Sequence, residues 1–247
     1  MELTRRSLIA GALAAPLLAA AVPAWAQEET WDQRWKRMLT TDFAMLERYR
    51  AENEALIASG APVDIVFMGD SITEGWKDKR PGFFTPGRVN RGISGQTSAQ
   101  MVLRMVPDVI DLKPRAVHIM AGTNDIAGNT GPMTQEMTRD NIRAMTALAQ
   151  RHGIKVLLAT IPPAKGFPWR PGLETVRPIR ELNAWIRTYA REVGAVLVDY
   201  DPVLAAPDGA MRAGLAYDGV HPTEAGYDAM ALAAEPVLKQ VVKRRRR

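Results

Sequence analysis

The chain has 247 residues, of which 47% are hydrophobic and 24% charged, and these values exclude a disordered protein. It contains no cysteine, which excludes disulfide bonds, a thiol nucleophile and metal sites held by cysteine. The formal net charge is +5 and the sequence pI about 9.6, values that favour a nucleic-acid or membrane-surface protein only where the charge forms one face.

Residues 1–26 have the pattern of an export signal. Arg5 and Arg6 precede an uncharged Ala/Leu-rich stretch, and the small residues in 24–26 suit cleavage by signal peptidase. The arginine pair resembles a twin-arginine signal, although two arginines also suit the general secretory route. Glycine and prolines interrupt the apolar run, so a transmembrane anchor is the weaker interpretation. We therefore expect a bacterial protein that is periplasmic or secreted.

The positive charge that remains lies at the C-terminus. Residues 243–247 are all basic, whereas the body over 27–242 has 25 basic and 26 acidic residues, a net charge of −1. A near-neutral body predicts no nucleic-acid partner. The basic tail is predicted as a solvated end, with contact to an anionic envelope surface as the alternative.

Helical and strand patterns alternate along the body. Apolar residues at three- and four-residue spacing predict an N-terminal helical segment over 27–62, with its helix at 31–58. Short apolar runs predict five strands, at 63–68, 88–90, 116–120, 155–161 and 195–198. Further helices are predicted at 98–105, 134–152, 178–193 and 223–242, the last kinked or broken at Pro236. This order predicts one mainly parallel, doubly wound sheet over 63–242, with the active site at the carboxyl ends of its strands.

A serine follows the first predicted strand directly, in the run Gly69-Asp70-Ser71. At such a strand-to-helix turn the hydroxyl is exposed above the sheet, at the positive end of a helix dipole that favours a developing negative charge. The alternative for a serine or aspartate at this place is a helix N-cap. Ser71 is thus a candidate nucleophile that needs further groups around it.

Two more motifs lie where strands end. Gly95, within 90–97, precedes a predicted helix N-cap, where a glycine lets a backbone N–H face a ligand, and Gly92 competes with it for this place. Asn124, within 122–125, follows the third strand and can donate from its side-chain amide. A turn asparagine often bonds its own backbone instead. Both positions are candidate hydrogen-bond donors beside the serine.

One of the three histidines lies in a loop beside an acid. Asp218 and His221, three residues apart on one turn, can pair so that the carboxylate holds the imidazole tautomer and stabilises its protonated form. His118 lies in an apolar strand and is predicted as a core residue, and His152 ends a helix. A serine, a base, an orienting acid and hydrogen-bond donors are together the groups that acyl transfer needs.

These four motifs, in this order, resemble blocks I, II, III and V of the SGNH (GDSL) hydrolases over about residues 63–240. Their spacing looks most like the branch of platelet-activating-factor acetylhydrolase catalytic subunits and secreted bacterial acylhydrolases. The resemblance implies a flavodoxin-like three-layer α/β/α sandwich with a five-stranded parallel sheet, the SGNH hydrolase fold. It implies neither a cofactor nor a metal ion.

The resemblance also implies a role for each motif residue. Ser71 would be the nucleophile, His221 the general base and acid, and Asp218 the residue that orients His221. The oxyanion hole would consist of the backbone N–H groups of Ser71 and Gly95 and the side chain of Asn124. No Gly-x-Ser-x-Gly, P-loop, Gly-x-Gly-x-x-Gly or His-Glu-x-x-His motif occurs, which disfavours α/β-hydrolase, nucleotide and zinc-protease chemistry.

The implied function is a secreted serine esterase for short acyl esters, above all acetyl esters, with a carbohydrate deacetylase as one form. A lysophospholipase or thioesterase for longer chains, and a non-catalytic carbohydrate- or envelope-binding domain, are the alternatives. Loop aromatics are candidate pocket residues because they could stack on a sugar or line an acyl pocket, although core packing is an equal interpretation. They are Trp76, Phe83, Phe84, Phe167 and Trp169.

Overall fold

The computed structural model describes residues 30–243, so the predicted export signal and tail residues 244–247 lie outside the described part. A five-stranded parallel sheet forms its centre. The strands are β1 (Ile65–Gly69), β2 (Arg88–Gly92), β3 (Ala116–Ile119), β4 (Lys155–Ala159) and β5 (Val196–Val198). Their spatial order is β2-β1-β3-β4-β5, the flavodoxin-like order, which opens a crevice at the carboxyl ends of β1 and β3.

Helices cover both faces of this sheet. Every residue of β1 and of β3 is buried, as expected for central strands that are packed on two sides. The helices are α1 (Trp31–Thr41), α2 (Arg50–Ser59), α3 (Ser71–Lys79), α4 (Ser98–Met105), α5 (Thr123–Ala127), α6 (Gln135–Arg151), α7 (Val176–Glu192), α8 (Asp201–Leu204) and α9 (Glu224–Lys243). Within residues 30–243, no helix combines the length and hydropathy needed to span a membrane. The predicted fold class is confirmed.

The N-terminal helix predicted at 31–58 is wrong, because the chain forms two helices there. Asp42 ends α1, and its carboxylate accepts the N–H groups of Leu46 and Glu47 at 2.9 and 3.1 Å. Met45 has a φ of 55°, which no right-handed helix accommodates. In the resulting turn, the carbonyls of Phe43 and Ala44 accept hydrogen bonds from the side chains of Gln100 and Gln96, in the helix and loop that follow β2.

Several predicted boundaries also need correction. The first strand begins at Ile65 rather than at residue 63, β2 extends to Gly92, and β4 ends at Ala159. The last helix continues through Pro236, where Ala234 and Leu238 are fully buried and their packing holds the helix across the missing hydrogen bond. The pattern gave no signal for α5 and α8, because each is shorter than two helical turns.

A buried polar network joins the N-terminal segment to the sheet domain. Arg104 is fully buried, and its guanidinium donates to Asp108 at 2.6 Å and to the carbonyl of Arg91 at 3.0 Å. The side chain of Asn53, on α2, donates to Asp108 at 2.6 Å and accepts from Arg91 at 2.9 Å. Tyr49 donates its hydroxyl to the carbonyl of Gly92. The segment before β1 is therefore packed against the chain that leads to the candidate site.

Candidate active site

Ser71 is the first residue of α3 and follows β1 after one residue. Asp70 caps this helix, since its carboxylate accepts the N–H of Ile72 at 3.0 Å. Burial raises the pKa of Asp70 to about 6. Because Asp70 takes the capping role, the hydroxyl of Ser71 is left to face the cleft at the carboxyl edge of the sheet.

A chain of two hydrogen bonds joins Ser71 to the loop before α9. The hydroxyl oxygen of Ser71 lies 2.9 Å from Nε2 of His221, and Nδ1 of His221 lies 2.7 Å from a carboxylate oxygen of Asp218. The other oxygen of Asp218 accepts the backbone N–H of His221 at 2.7 Å and that of Val220 at 3.0 Å. A carboxylate fixed in this way assigns the imidazole proton to Nδ1 and leaves Nε2 to accept from the serine.

The electrostatics of the pair keep Asp218 ionised. Partial burial acts to raise its pKa, but the hydrogen bonds from the His221 backbone and imidazole and from the Val220 backbone outweigh burial, so the pKa lies below its usual value. A negative charge at this place stabilises an imidazolium on His221.

Gly95 lines the cleft, whereas Gly92 does not. Gly95 has a φ of 79°, in the left-handed region that glycine adopts readily, and its N–H has no partner among residues 30–243. The N–H of Gly92 already donates to the side chain of Asn90 at 2.8 Å. A Cβ at Gly92 would lie 2.2 Å from the backbone nitrogen of Glu74, so this glycine lets β2 approach α3.

Asn124 lies at the start of α5 and is buried at 3% exposure. Its side-chain nitrogen donates to the carbonyl of Gln96 at 3.0 Å, and its oxygen accepts from the side chain of Asn129 at 2.8 Å. A carboxamide has two N–H donors, so one remains for the cleft. Sequence reasoning missed Asn129, for which the only signal is a polar turn after α5.

Ser71, His221, Gly95 and Asn124 share a cleft of about 530 Å³, and Asp218 lies behind His221. Five further residues line it: Trp35, Ser94, Asn129, Trp169 and Arg170. The ring of Trp169 lies 5.9 Å from that of His221 and is stacked on Phe167 at 5.0 Å. Trp35 comes from α1, which lies outside the region over which the sequence resembles the family.

Most of the predicted pocket aromatics are core residues instead. Trp76 is fully buried, Phe83 and Phe84 pack with it, and Phe167 is 2% exposed beneath Trp169. Of the predicted set, Trp169 alone lines the cleft. Trp76 follows the buried Ile72 by four residues on α3, which places both side chains on the face that meets the sheet.

His118 is a core residue, as its strand context predicts. Its Nε2 lies 2.8 Å from the hydroxyl of Tyr200, and burial lowers its pKa to about 3, so the ring stays neutral. Within residues 30–243, no group of three or more His, Asp or Glu side chains is placed to hold a metal ion.

Comparison with known proteins gives matches over most of the chain. Residues 67–229 match the model of the GDSL-like Lipase/Acylhydrolase family. The crystal structure of a GDSL-like lipase from Bacteroides thetaiotaomicron has 43% sequence identity and a TM-score of 0.76, over 81% of this chain and 99% of that one.

Two curated bacterial proteins are similar over shorter stretches. Esterase TesA of Pseudomonas aeruginosa is 31% identical over 156 residues, which are 62% of this chain and 66% of TesA. The uncharacterized lipoprotein YqeF of Bacillus subtilis is 38% identical over 78 residues, 30% of this chain and 32% of YqeF. The chain therefore spans less than two thirds of each of these relatives.

The fold and the family match define the class of the protein, which is that of ester-hydrolysing enzymes. The chain belongs to the GDSL-like lipase/acylhydrolase family. The family recognised from the four sequence motifs is thus confirmed.

Proposed function

We propose that the protein is a serine esterase that hydrolyses short acyl esters, acetyl esters above all, through an acyl-enzyme on Ser71. The observation that carries this proposal is the hydrogen-bonded series from the Ser71 hydroxyl through His221 to Asp218, at 2.9 and 2.7 Å, at the edge of an open cleft. A non-catalytic binding domain would have no use for this arrangement.

The first half of the reaction forms the acyl-enzyme. Nε2 of His221 accepts the hydroxyl proton of Ser71 while the serine oxygen attacks the ester carbonyl carbon. The carbonyl oxygen becomes an oxyanion, which accepts hydrogen bonds from the N–H groups of Ser71 and Gly95 and from the side chain of Asn124. When the intermediate collapses, the ester bond breaks and the alcohol leaves with the proton from His221.

The second half of the reaction releases the acid. His221 takes a proton from water, the resulting hydroxide attacks the acyl carbon, and the proton returns to Ser71 as the carboxylic acid departs. The same three donors hold the second oxyanion, and each donor of this kind contributes about 10²–10³ in rate. The amino terminus of α3 places the positive end of the helix dipole at the reacting serine.

The lining of the cleft, in the described part of the chain, offers aromatic rings and polar groups but no aliphatic wall for a long acyl chain. None of the residues that line it in the described part of the chain is aliphatic, and Ser94, Asn124 and Asn129 are polar. A lysophospholipase or a long-chain thioesterase buries an alkyl chain against apolar walls. Trp35 and Trp169 line the cleft, and aromatic rings of this kind can stack on a sugar ring, which supports a carbohydrate ester as substrate.

We expect kcat/KM for p-nitrophenyl esters to be highest for two- to four-carbon acyl groups and to fall with chain length up to sixteen carbons. Acetylated oligosaccharides, assayed under the same conditions, test whether a sugar is the preferred alcohol part of the ester. A maximum at twelve to sixteen carbons would contradict the short-chain assignment and favour the lysophospholipase or thioesterase alternative.

Replacement of Trp35 by alanine is expected to raise KM for an acetylated oligosaccharide about tenfold and to leave kcat within about twofold, because a stacking surface for the sugar is lost. Trp185→Ala is the matched control, since Trp185 stacks on Tyr189 on α7, away from the cleft. Equal KM values for wild type and Trp35→Ala would contradict a sugar-binding role for α1.

Export belongs to the same proposal. The sequence pattern of residues 1–26 supports it, as does the similarity to a lipoprotein. A mature chain that begins at Gln27 in the periplasmic or culture fraction is the expected result, and a full-length cytoplasmic chain would contradict export. Binding of the basic tail to an anionic envelope surface stays a sequence prediction.

A further inference from the structure

Asn129 makes hydrogen bonds to both loops that carry the proposed oxyanion donors. Its side-chain nitrogen donates to the side-chain oxygen of Asn124 at 2.8 Å and to the carbonyl of Gly95 at 3.1 Å. Its side-chain oxygen accepts the indole N–H of Trp169 at 3.2 Å. Its backbone N–H donates to the carbonyl of Asn124 at 3.1 Å.

These bonds define the orientation of the Asn124 amide. A rotation of that amide by 180° would exchange its oxygen and nitrogen. The nitrogen would then face the donating nitrogen of Asn129, and the oxygen would face the carbonyl of Gln96. Both contacts would be repulsive, so the observed orientation, with one N–H left for the cleft, is the favoured one.

The bond to Gly95 acts on the turn around the backbone donor. Gly95 is in the left-handed conformation that glycine adopts readily. Its carbonyl, which accepts from Asn129, belongs to the peptide that follows Gly95, and the N–H of that peptide donates to the carbonyl of Ile93 at 3.3 Å. One side chain thus fixes one proposed donor and anchors the turn that carries a second.

We propose that Asn129 is a positioning residue of the oxyanion hole, which fixes the amide of Asn124 and anchors the turn that carries the N–H of Gly95 before the substrate binds. This inference rests on the proposed serine esterase function. Donors that are already oriented stabilise the transition state without reorganisation, so their loss appears in kcat rather than in KM. Asn129 itself touches neither the reacting carbonyl nor Ser71 in this role.

The test is Asn129→Leu, which keeps the volume and removes both donated bonds. We expect kcat for p-nitrophenyl acetate to fall about 100-fold with KM within about threefold of wild type. Asn129→Asp is the second variant, because its carboxylate can still accept from Trp169 but cannot donate to Asn124 or Gly95. It should show the same loss in kcat, and it keeps the test available where the leucine variant does not fold.

Asn141→Leu is the matched control. Asn141 donates its side-chain N–H to the hydroxyl of Ser98 at 2.9 Å and is not among the described residues that line the cleft. This variant also loses an asparagine hydrogen bond but touches neither Asn124 nor Gly95. Its kcat should stay within about threefold of wild type.

A double-mutant cycle separates positioning from general structural damage. If Asn129 acts in large part through Asn124, then Asn124→Ala combined with Asn129→Leu should lose clearly less kcat than the product of the two single losses. Independent, multiplicative losses would overturn the proposal, as would wild-type kcat in both Asn129 variants. If the wild-type protein showed no esterase turnover, or turnover that Ser71→Ala retains, the proposed function itself would be overturned. The two failures are therefore distinguishable.

Discussion

Ser71→Ala is expected to lower kcat for p-nitrophenyl acetate by about 10⁴–10⁶, to the level left by substrate binding and the oxyanion donors alone. The hydroxyl is the group from which His221 takes a proton, and no other side-chain oxygen in the described chain lies within hydrogen-bond distance of Nε2 of His221. Steady-state kinetics over a wide range of enzyme concentration measures the loss.

The fold should survive this change. The helix cap is provided by Asp70, and the Ser71 hydroxyl bonds only to His221 among the described residues, so the melting temperature should stay within a few degrees of wild type. Ser59→Ala, which removes an exposed hydroxyl at the end of α2, is the matched control. Turnover by Ser71→Ala at more than a tenth of the wild-type rate would contradict the nucleophile assignment.

Asp218→Asn is expected to lower kcat by about 10³–10⁴ while the loop stays in place. The new amide oxygen can still accept the backbone N–H groups of His221 and Val220. Its NH₂ group would instead face Nδ1 of His221 and favour the tautomer with the proton on Nε2. In that tautomer His221 cannot accept the proton of Ser71, so the loss appears in catalysis and not in stability.

Asp208→Asn provides a close control for this variant. Asp208 also accepts the backbone N–H of the residue two positions later, at 3.1 Å, but lies in an exposed loop away from the cleft. Its replacement should leave kcat unchanged. If Asp218→Asn kept more than a tenth of the wild-type kcat, the orienting role of Asp218 would be wrong.

The relation between distant motifs could be predicted because a parallel sheet brings the carboxyl ends of its strands to one edge. Ser71 and His221 are 150 positions apart, yet each lies at an element boundary that the sequence marks with glycine, proline or a cap residue. Gly95 and Asn124 follow from the same reasoning, and both line the cleft with Ser71. The sheet, and the meeting of these four residues and Asp218 at one edge of it, could therefore be predicted from the sequence, whereas their roles in catalysis are part of the proposal.

The residues that form the walls of the cleft could not be predicted from the sequence in the same way. Trp76 lies near Ser71 in sequence, but the helical period turns its ring into the core, where it stacks on Phe83 at 4.3 Å. Trp35 reaches the cleft only because Asp42 breaks the N-terminal helix and turns the chain back. Asn129 acts through side-chain hydrogen bonds to two other loops, and no local pattern specifies such partners.

Covalent labelling tests the central claim most directly. A fluorophosphonate reacts with an activated serine, forming a bond from phosphorus to the serine oxygen with loss of fluoride, and the adduct is stable enough for peptide mapping by mass spectrometry. We predict one adduct per chain, on the peptide that contains Ser71, with turnover lost in proportion to labelling and no adduct in Ser71→Ala. An adduct on another residue, or full turnover in a chain labelled at Ser71, would contradict the account.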